Sequence, residues 1–149
     1  MDIRTALQSD LEAIVRLLAD DELGVSRERF ETPLPQAYID AFSEIQGQKG
    51  NSILVAVEDN EVIGCLQLTF VPGLARLGMT RAQIEGVRVD KQYRSRGIGE
   101  ALFRHAIDSA KANCCGLVQL TTDKKRNDAH RFYERLGFVS SHEGMKLSL

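Results

Sequence analysis

Three β-rich runs, Ile53–Val57, Val62–Phe70 and Ala82–Val89, follow one another with no helical pattern between them. The first two are separated only by Glu58-Asp59-Asn60-Glu61, whose Asp-Asn pair suits a tight turn, so they fold back on each other as a hairpin. That block predicts a sheet, and helical patterns on either side of it supply the layers to cover it. Ahead of it lie a short strand at Ile3–Ala6 and then Ser9-Asp10-Leu11-Glu12, with the spacing of a capping box. The helix that follows presents Leu11, Ile14, Val15, Leu17 and Leu18 on one face. Gly24, Pro33 and Pro35 make Asp20–Pro35 an irregular connection into a second helix, from about Pro35 to Gln46.

Downstream of the Pro72-Gly73 break and a Leu74–Thr80 loop, the third β run ends in a basic loop, Asp90–Arg96. A helix over Gly97–Asn113 follows, with Ile98, Leu102, Ala106 and Ala110 on one face. A strand at Leu117–Thr122, a helix at Asp128–Leu136 and a closing strand or hairpin from Phe138 complete the chain. The order predicts a mixed α/β (α+β) fold: one domain over residues 1–149, with helices on the faces of a single sheet.

Composition narrows the function classes. The 149 residues carry 19 Lys and Arg against 21 Asp and Glu, a net charge of −2 that argues against a uniformly basic nucleic-acid binder. A chain of this size buries roughly 70% of its unfolded surface, so it needs no disulfide or metal staple. Cys65, Cys114 and Cys115 are odd in number and lack CxxC spacing, which fits a reducing, cytoplasmic compartment better than a disulfide framework or a zinc site. No run approaches the roughly 18 apolar residues of a membrane span, and Met1-Asp2-Ile3-Arg4 has no signal-peptide core. His105, His130 and His142 share no metal-ligand spacing. The expectation is no metal, no nucleic acid and no membrane partner; a homodimer is compatible with such a chain.

The most informative segment runs from Glu85 to Gly99. A strand feeding a helix whose first turn holds Gly97 and Gly99 brings unpartnered N–H groups and the positive end of the helix dipole to one place, which suits an anion. From Arg88 to Arg96 the local charge is +3, with Arg94 and Arg96 next to the glycines. The same glycines also serve a plain loop-to-helix transition. A dinucleotide fingerprint fits less well, because Leu102 stands where the third glycine belongs and Gln119-Leu120 replaces the ribose-binding acid. No phosphate-binding GxxxxGK[ST] loop is present.

Arg94-Ser95-Arg96-Gly97-Ile98-Gly99 resembles the R/Q-x-x-G-x-G/A signature of the GNAT superfamily of acetyl-CoA-dependent N-acetyltransferases. The second signature follows in order: Asn127-Asp128-Ala129-His130-Arg131-Phe132-Tyr133-Glu134-Arg135-Leu136-Gly137-Phe138 is similar to N-x-x-A-x-x-F-Y-E-x-x-G-F. Asn127 lies two residues before Ala129 rather than three, and Arg126 occupies the usual Asn position, so either of them is the cofactor contact. The resemblance implies a mostly antiparallel sheet of about six to seven strands flanked by about four helices. It implies pyrophosphate held by Arg94, Ser95, Arg96, Gly97, Ile98 and Gly99 with Glu100 close behind, and pantetheine paired with the strand edge at Val87, Arg88 and Val89. The resemblance also makes Ala129 and Tyr133 cofactor contacts. Gly86 is either the bulge that splays this strand or a packing requirement.

Acetyl transfer to an amine needs a base for the ammonium proton and an acid for the departing thiolate, because a primary amine near pKa ~10 is mostly protonated at neutral pH. On the resemblance, Glu85 is the candidate base, or else a solvated or ion-paired strand residue. Tyr133 is the candidate acid, or else a helix residue packed beside Phe132. Strict alternation puts Glu85 on the face of Val87 and Val89, unless a bulge at Gly86 intervenes. No Ser-His-Asp or Cys-His arrangement is assembled, which favours direct attack of the amine in a ternary complex. The expected acceptor is a small-molecule or peptide amine, and Asp20–Glu31, with a net charge of −3, is either a cation-attracting rim or a solvated charge run. The alternative function is a non-catalytic acyl-CoA-binding or regulatory module on the same fold.

Overall fold

The structure is a computed structural model that describes residues 1–149. The chain forms two compact units, Met1–Gln119 and Leu120–Leu149. In the first, the elements run β1 (Asp2–Thr5), α1 (Leu11–Ala19), α2 (Gly24–Arg27), α3 (Gln36–Gly47), β2 (Asn51–Glu58), β3 (Glu61–Val71), α4 (Ala75–Gly78), β4 (Arg81–Val89), α5 (Ile98–Ala112) and β5 (Leu117–Gln119). The second unit holds α6 (Asn127–Arg135). No helix is long and apolar enough to cross a membrane.

The five strands lie in sequence order, β1-β2-β3-β4-β5, antiparallel except for the β4–β5 pair. The β2–β3 hairpin forms as expected. Asp59 (φ 50°) and Asn60 (φ 64°) both take left-handed backbone, the conformation a two-residue hairpin turn requires. β4 and β5 are parallel because α5 carries the chain back between them.

Both faces of the sheet are covered. On one, α1 and α3 bury Leu11, Ile14, Val15, Leu17 and Phe42 together with Val55, Val62 and Cys65. On the other, α5 packs on β3 and β4 with Ile98, Leu102, Phe103, Ala106 and Ala110 all buried. The expected Ile98, Leu102, Ala106, Ala110 stripe is therefore the one that enters the core.

Three expectations are corrected. The Ser9–Glu12 capping box does not form: Gln8–Asp10 is a 3-10 turn, and Asp10 organises the helix start instead. Its carboxylate accepts the Leu7 N–H at 2.7 Å and meets both Nη atoms of Arg4 at 2.7 and 3.1 Å, and charge-assisted bonds of this kind outcompete a serine hydroxyl. The strand at Leu117–Thr122 is limited to Leu117–Gln119, and no strand forms after Phe138, so the sheet has five strands rather than six to seven. Alternating apolar residues such as Met145, Leu147 and Leu149 mark a strand pattern, but a strand exists only where its backbone groups find a ladder partner, and these three side chains are exposed.

Candidate functional site

β4 is the strand that positions the site. Its register with β3 runs evenly from Arg81↔Val71 to Glu85↔Gln67, then shifts so that Arg88 faces Cys65. One extra residue on β4 is thus a bulge at Gly86–Val87. Gly86 has φ +62°, and a Cβ added there would meet only Leu18 Cδ2, 4.0 Å away. Packing leaves room at this position, so it is the left-handed backbone that calls for glycine.

The bulge re-aims everything beyond it. Glu85 and Arg88, opposite Gln67 and Cys65, share the face on which α1 lies, while Val89, opposite Gly64, belongs to the other. Simple alternation had put Glu85 and Val89 together; the extra residue separates them. Asp90 donates its N–H to Ile63 C=O at 2.9 Å, and since ladder groups alternate in direction, the N–H and C=O of Val89 point away from β3. β5 pairs only with Arg81, Ala82 and Gln83, so no strand takes up β4 on that side from Ile84 onward. The Val87 carbonyl accepts instead from Arg88 Nη1 at 2.8 Å and the Val89 carbonyl from Arg94 Nε at 3.4 Å.

A 3-10 turn at Lys91–Tyr93 links β4 to the glycine turn. Asp90 holds it, accepting the Gln92 N–H at 2.9 Å and pairing with Arg16 at 3.0 Å; both contacts keep its carboxyl below the usual carboxylate range. Gly97 has φ +78°, nothing lies within 4 Å of a Cβ placed there, and α5 begins at the next residue. The first bond of the helix runs from Ala101 N–H to Gly97 C=O, so the N–H groups of Ile98, Gly99 and Glu100 have no carbonyl one turn back. Ser95 also takes left-handed backbone, at φ 63°, a conformation that costs on the order of 1 kcal/mol in a residue other than glycine. Arg96 lies over the Tyr93 ring, 5.0 Å from its centroid. Glu100 is turned along the helix to Arg104, at 2.6 Å.

The +3 and −3 stretches of the sequence turn out to be partners. Arg88 Nε lies 2.7 Å from Asp21 Oδ2, a half-buried ion pair whose N–H is not aimed for a hydrogen bond, and Lys91 lies 3.3 Å from Asp20. Asp21 also accepts the Gly24 N–H at the start of α2, and Glu28 accepts from the Tyr38 hydroxyl. Glu31 is held by Arg29, which lowers its carboxyl from the ordinary value. The acidic segment is thus largely consumed within the fold. Arg94 and Arg96 are the two loop cations with no carboxylate partner, and both lie within three residues ahead of Gly97 in the chain.

In the second unit, Arg126 stands just before α6, Asn127 is its first residue, and Ala129 and Tyr133 lie further along. The end of this helix explains the Gly-Phe pair of the motif. Gly137 (φ +96°) donates to Glu134 C=O and Phe138 to Tyr133 C=O, the double bond of a Schellman cap. The Tyr133 ring packs edge-on against Phe132 at 5.6 Å and Phe138 at 6.1 Å, so cap and ring pair fix its direction together.

The residues that motif reading missed are supporting ones: Asp21, Asp90, and a row of polar side chains on the face that carries Glu85. The Asx turn at Asp90-x-Gln92 and the polar residues at alternate positions of β3 and β4 are their sequence signals. Gln67 Nε2 and Thr69 Oγ1 donate to Asn51 Oδ1 at 3.0 and 3.2 Å, Asn51 donates to Gln48, and Gln119 donates to Gln83 at 2.8 Å. No three His, Cys, Asp or Glu side chains converge as metal ligands would.

Residues 11–138 match the profile of the acetyltransferase (GNAT) family. An aminoalkylphosphonate N-acetyltransferase of Salmonella typhimurium is 31% identical over 72% of this chain and 69% of its own length. A glucosamine 6-phosphate N-acetyltransferase of Trypanosoma brucei brucei is 33% identical over 59% of this chain, and the match spans only 58% of that protein. Among solved structures, a Bacillus halodurans C-125 protein described as a transcriptional regulator superposes with a TM-score of 0.97 at 52% identity, covering 99% of both chains.

Proposed function

This chain belongs to the acetyltransferase (GNAT) family, and from that premise we propose that it moves an acetyl group from acetyl-CoA to a primary amine, directly and in a ternary complex. The observation that carries this reading is the stretch of β4 from Ile84 to Val89 that β5 leaves unpaired. It offers outward carbonyls at Val87 and Val89, and the open Gly97 turn follows within the same segment. Those groups fit acetyl-CoA. The pantetheine amides pair with the edge once Arg88 and Arg94 release it, and the pyrophosphate lies on the N–H groups of Ile98, Gly99 and Glu100, with Arg94 and Arg96 as the nearby cations in sequence.

In this reading Glu85 accepts one proton from the acceptor ammonium. The neutral amine forms the C–N bond as the thioester C–S bond breaks. Tyr133 gives its proton to the departing sulfur and is re-protonated by the second proton that the nitrogen sheds. Arg126, Asn127 and Ala129, around the start of α6, are assigned to the cofactor. The acceptor is a small-molecule or peptide amine; both enzyme relatives above are described by small amines that carry a phosphorus oxyacid. The three free thiols fit work in a reducing, cytoplasmic compartment.

Calorimetry with acetyl-CoA tests the reading. Binding is expected in the unmodified protein and not in Gly97→Glu, whose side chain would fill the open turn; absence of binding to the unmodified protein refutes it. A second reading, a regulatory module that binds acyl-CoA without transferring it, draws support from the Bacillus halodurans neighbour. It requires binding with no turnover on any amine.

A further inference from the structure

Beyond Glu85, the sheet face on which α1 lies continues as a polar strip. Arg81, Gln83 and Glu85 alternate along β4, opposite Val71, Thr69 and Gln67 of β3, and Leu117 and Gln119 of β5 flank Arg81 and Gln83. On the opposite face of the same stretch, Leu68, Ala82 and Ile84 are fully buried. The strip has a definite chemistry. Its centre is made of neutral amides and one hydroxyl, and it carries one anion at one end, Glu85, and one cation at the other, Arg81.

The centre is held in place by hydrogen bonds among Asn51, Gln67 and Thr69 and between Gln119 and Gln83. After these bonds, Gln67 and Gln119 each keep a carbonyl oxygen and an N–H, and Gln83 keeps both amide protons. Mixed donors and acceptors of this kind match hydroxyl or amide groups rather than an apolar ligand or a second charge. Arg81 makes no ion pair, in contrast to Arg88 on the same face, which is held by Asp21. Arg81 and Glu85 are four steps apart along the strand, roughly 13 Å between Cα atoms, and less between the charged tips where either long side chain leans inward.

We propose that this strip is the acceptor subsite, and that it selects an amine bearing hydroxyl or amide groups and an acidic group, the amine at Glu85 and the acidic group at Arg81. The assignment rests on the acetyl-transfer reading above and adds the acceptor class to it. Arg81 is the specificity-determining residue. It recognises a full negative charge, phosphate, phosphonate or carboxylate, through charge-assisted hydrogen bonds.

The test compares matched amines with and without the acid: glucosamine 6-phosphate against glucosamine, and 3-aminopropylphosphonate against propylamine. In the unmodified protein kcat/KM for the acidic member should exceed that for the neutral one by about tenfold or more in each pair. The phosphorylated sugar, which alone engages both the amides and Arg81, should be the best of the four. Arg81→Ala and Arg81→Gln should each reduce the acid preference about tenfold, mainly through KM, and Arg81→Lys should restore part of it. Equal use of both members by the unmodified protein, or a preference unchanged in the Arg81 variants, overturns the assignment while leaving acetyl transfer standing. Failure of the unmodified protein to bind acetyl-CoA overturns both.

Discussion

Replacing Gly86 separates backbone conformation from packing at the bulge that organises the site. The residue sits at φ +62°, where an L side chain costs about 1–2 kcal/mol. The only atom near its missing Cβ is Leu18 Cδ2 at 4.0 Å, an ordinary contact, so Gly86→Ala adds no clash. Lower unfolded-chain entropy in the alanine variant offsets part of the strain, leaving a net loss of about 1 kcal/mol. For a chain of 149 residues that lowers Tm by roughly 2–4 °C. Asn tolerates left-handed backbone better than Ala, and a β-branched residue tolerates it least. Thermal and denaturant unfolding should therefore rank Gly86→Asn least damaging, Gly86→Ala next and Gly86→Val worst. If Asn, the larger side chain, proves more damaging than Ala, or if Ala costs more than about 3 kcal/mol, space rather than conformation governs the position.

Other consequences are equally direct. Glu85→Gln should lower kcat on the order of a hundredfold and remove the acidic limb of the pH–rate profile, and an unaltered limb excludes Glu85 as the base. Tyr133→Phe should reduce kcat about tenfold or more without weakening acetyl-CoA binding; unchanged turnover removes it as the acid. The Asp10 carboxyl, held below its usual range by Arg4 and the Leu7 N–H, stabilises the fold above its unfolded value near pH ~4 and loses that effect as pH falls through its folded value. Asp10→Asn should accordingly cost about 1–3 kcal/mol at pH 7, with the gap closing in acid, and a gap independent of pH contradicts this account. Burial pushes the Cys65 thiol up to about 12, whereas Cys114 is exposed. Iodoacetamide at pH 8 should label Cys114 in the native protein and reach Cys65 only on unfolding; early labelling of Cys65 would place it outside the core.

What was legible in the sequence was whatever depends on residues close together along the chain. The Asp59-Asn60 hairpin turn, the Ile98–Ala110 stripe and the Gly97 helix start follow from local backbone preference and from the spacing of apolar residues, and each is found where expected. Gly86 was readable as a bulge candidate, but not which face its neighbours would occupy.

Contacts between distant segments decided the rest. Only the β3–β4 register showed that one extra residue turns Glu85 to the face of Arg88 and away from Val89. Only the approach of the α1–α2 connection to β4 showed that Asp20 and Asp21 neutralise Lys91 and Arg88, leaving Arg94 and Arg96 as the unpaired cations beside the glycine turn. The missing strand after Phe138 has the same cause. An alternating pattern records which side chains prefer burial, whereas a strand and an ion pair both need a partner whose position the local sequence does not encode.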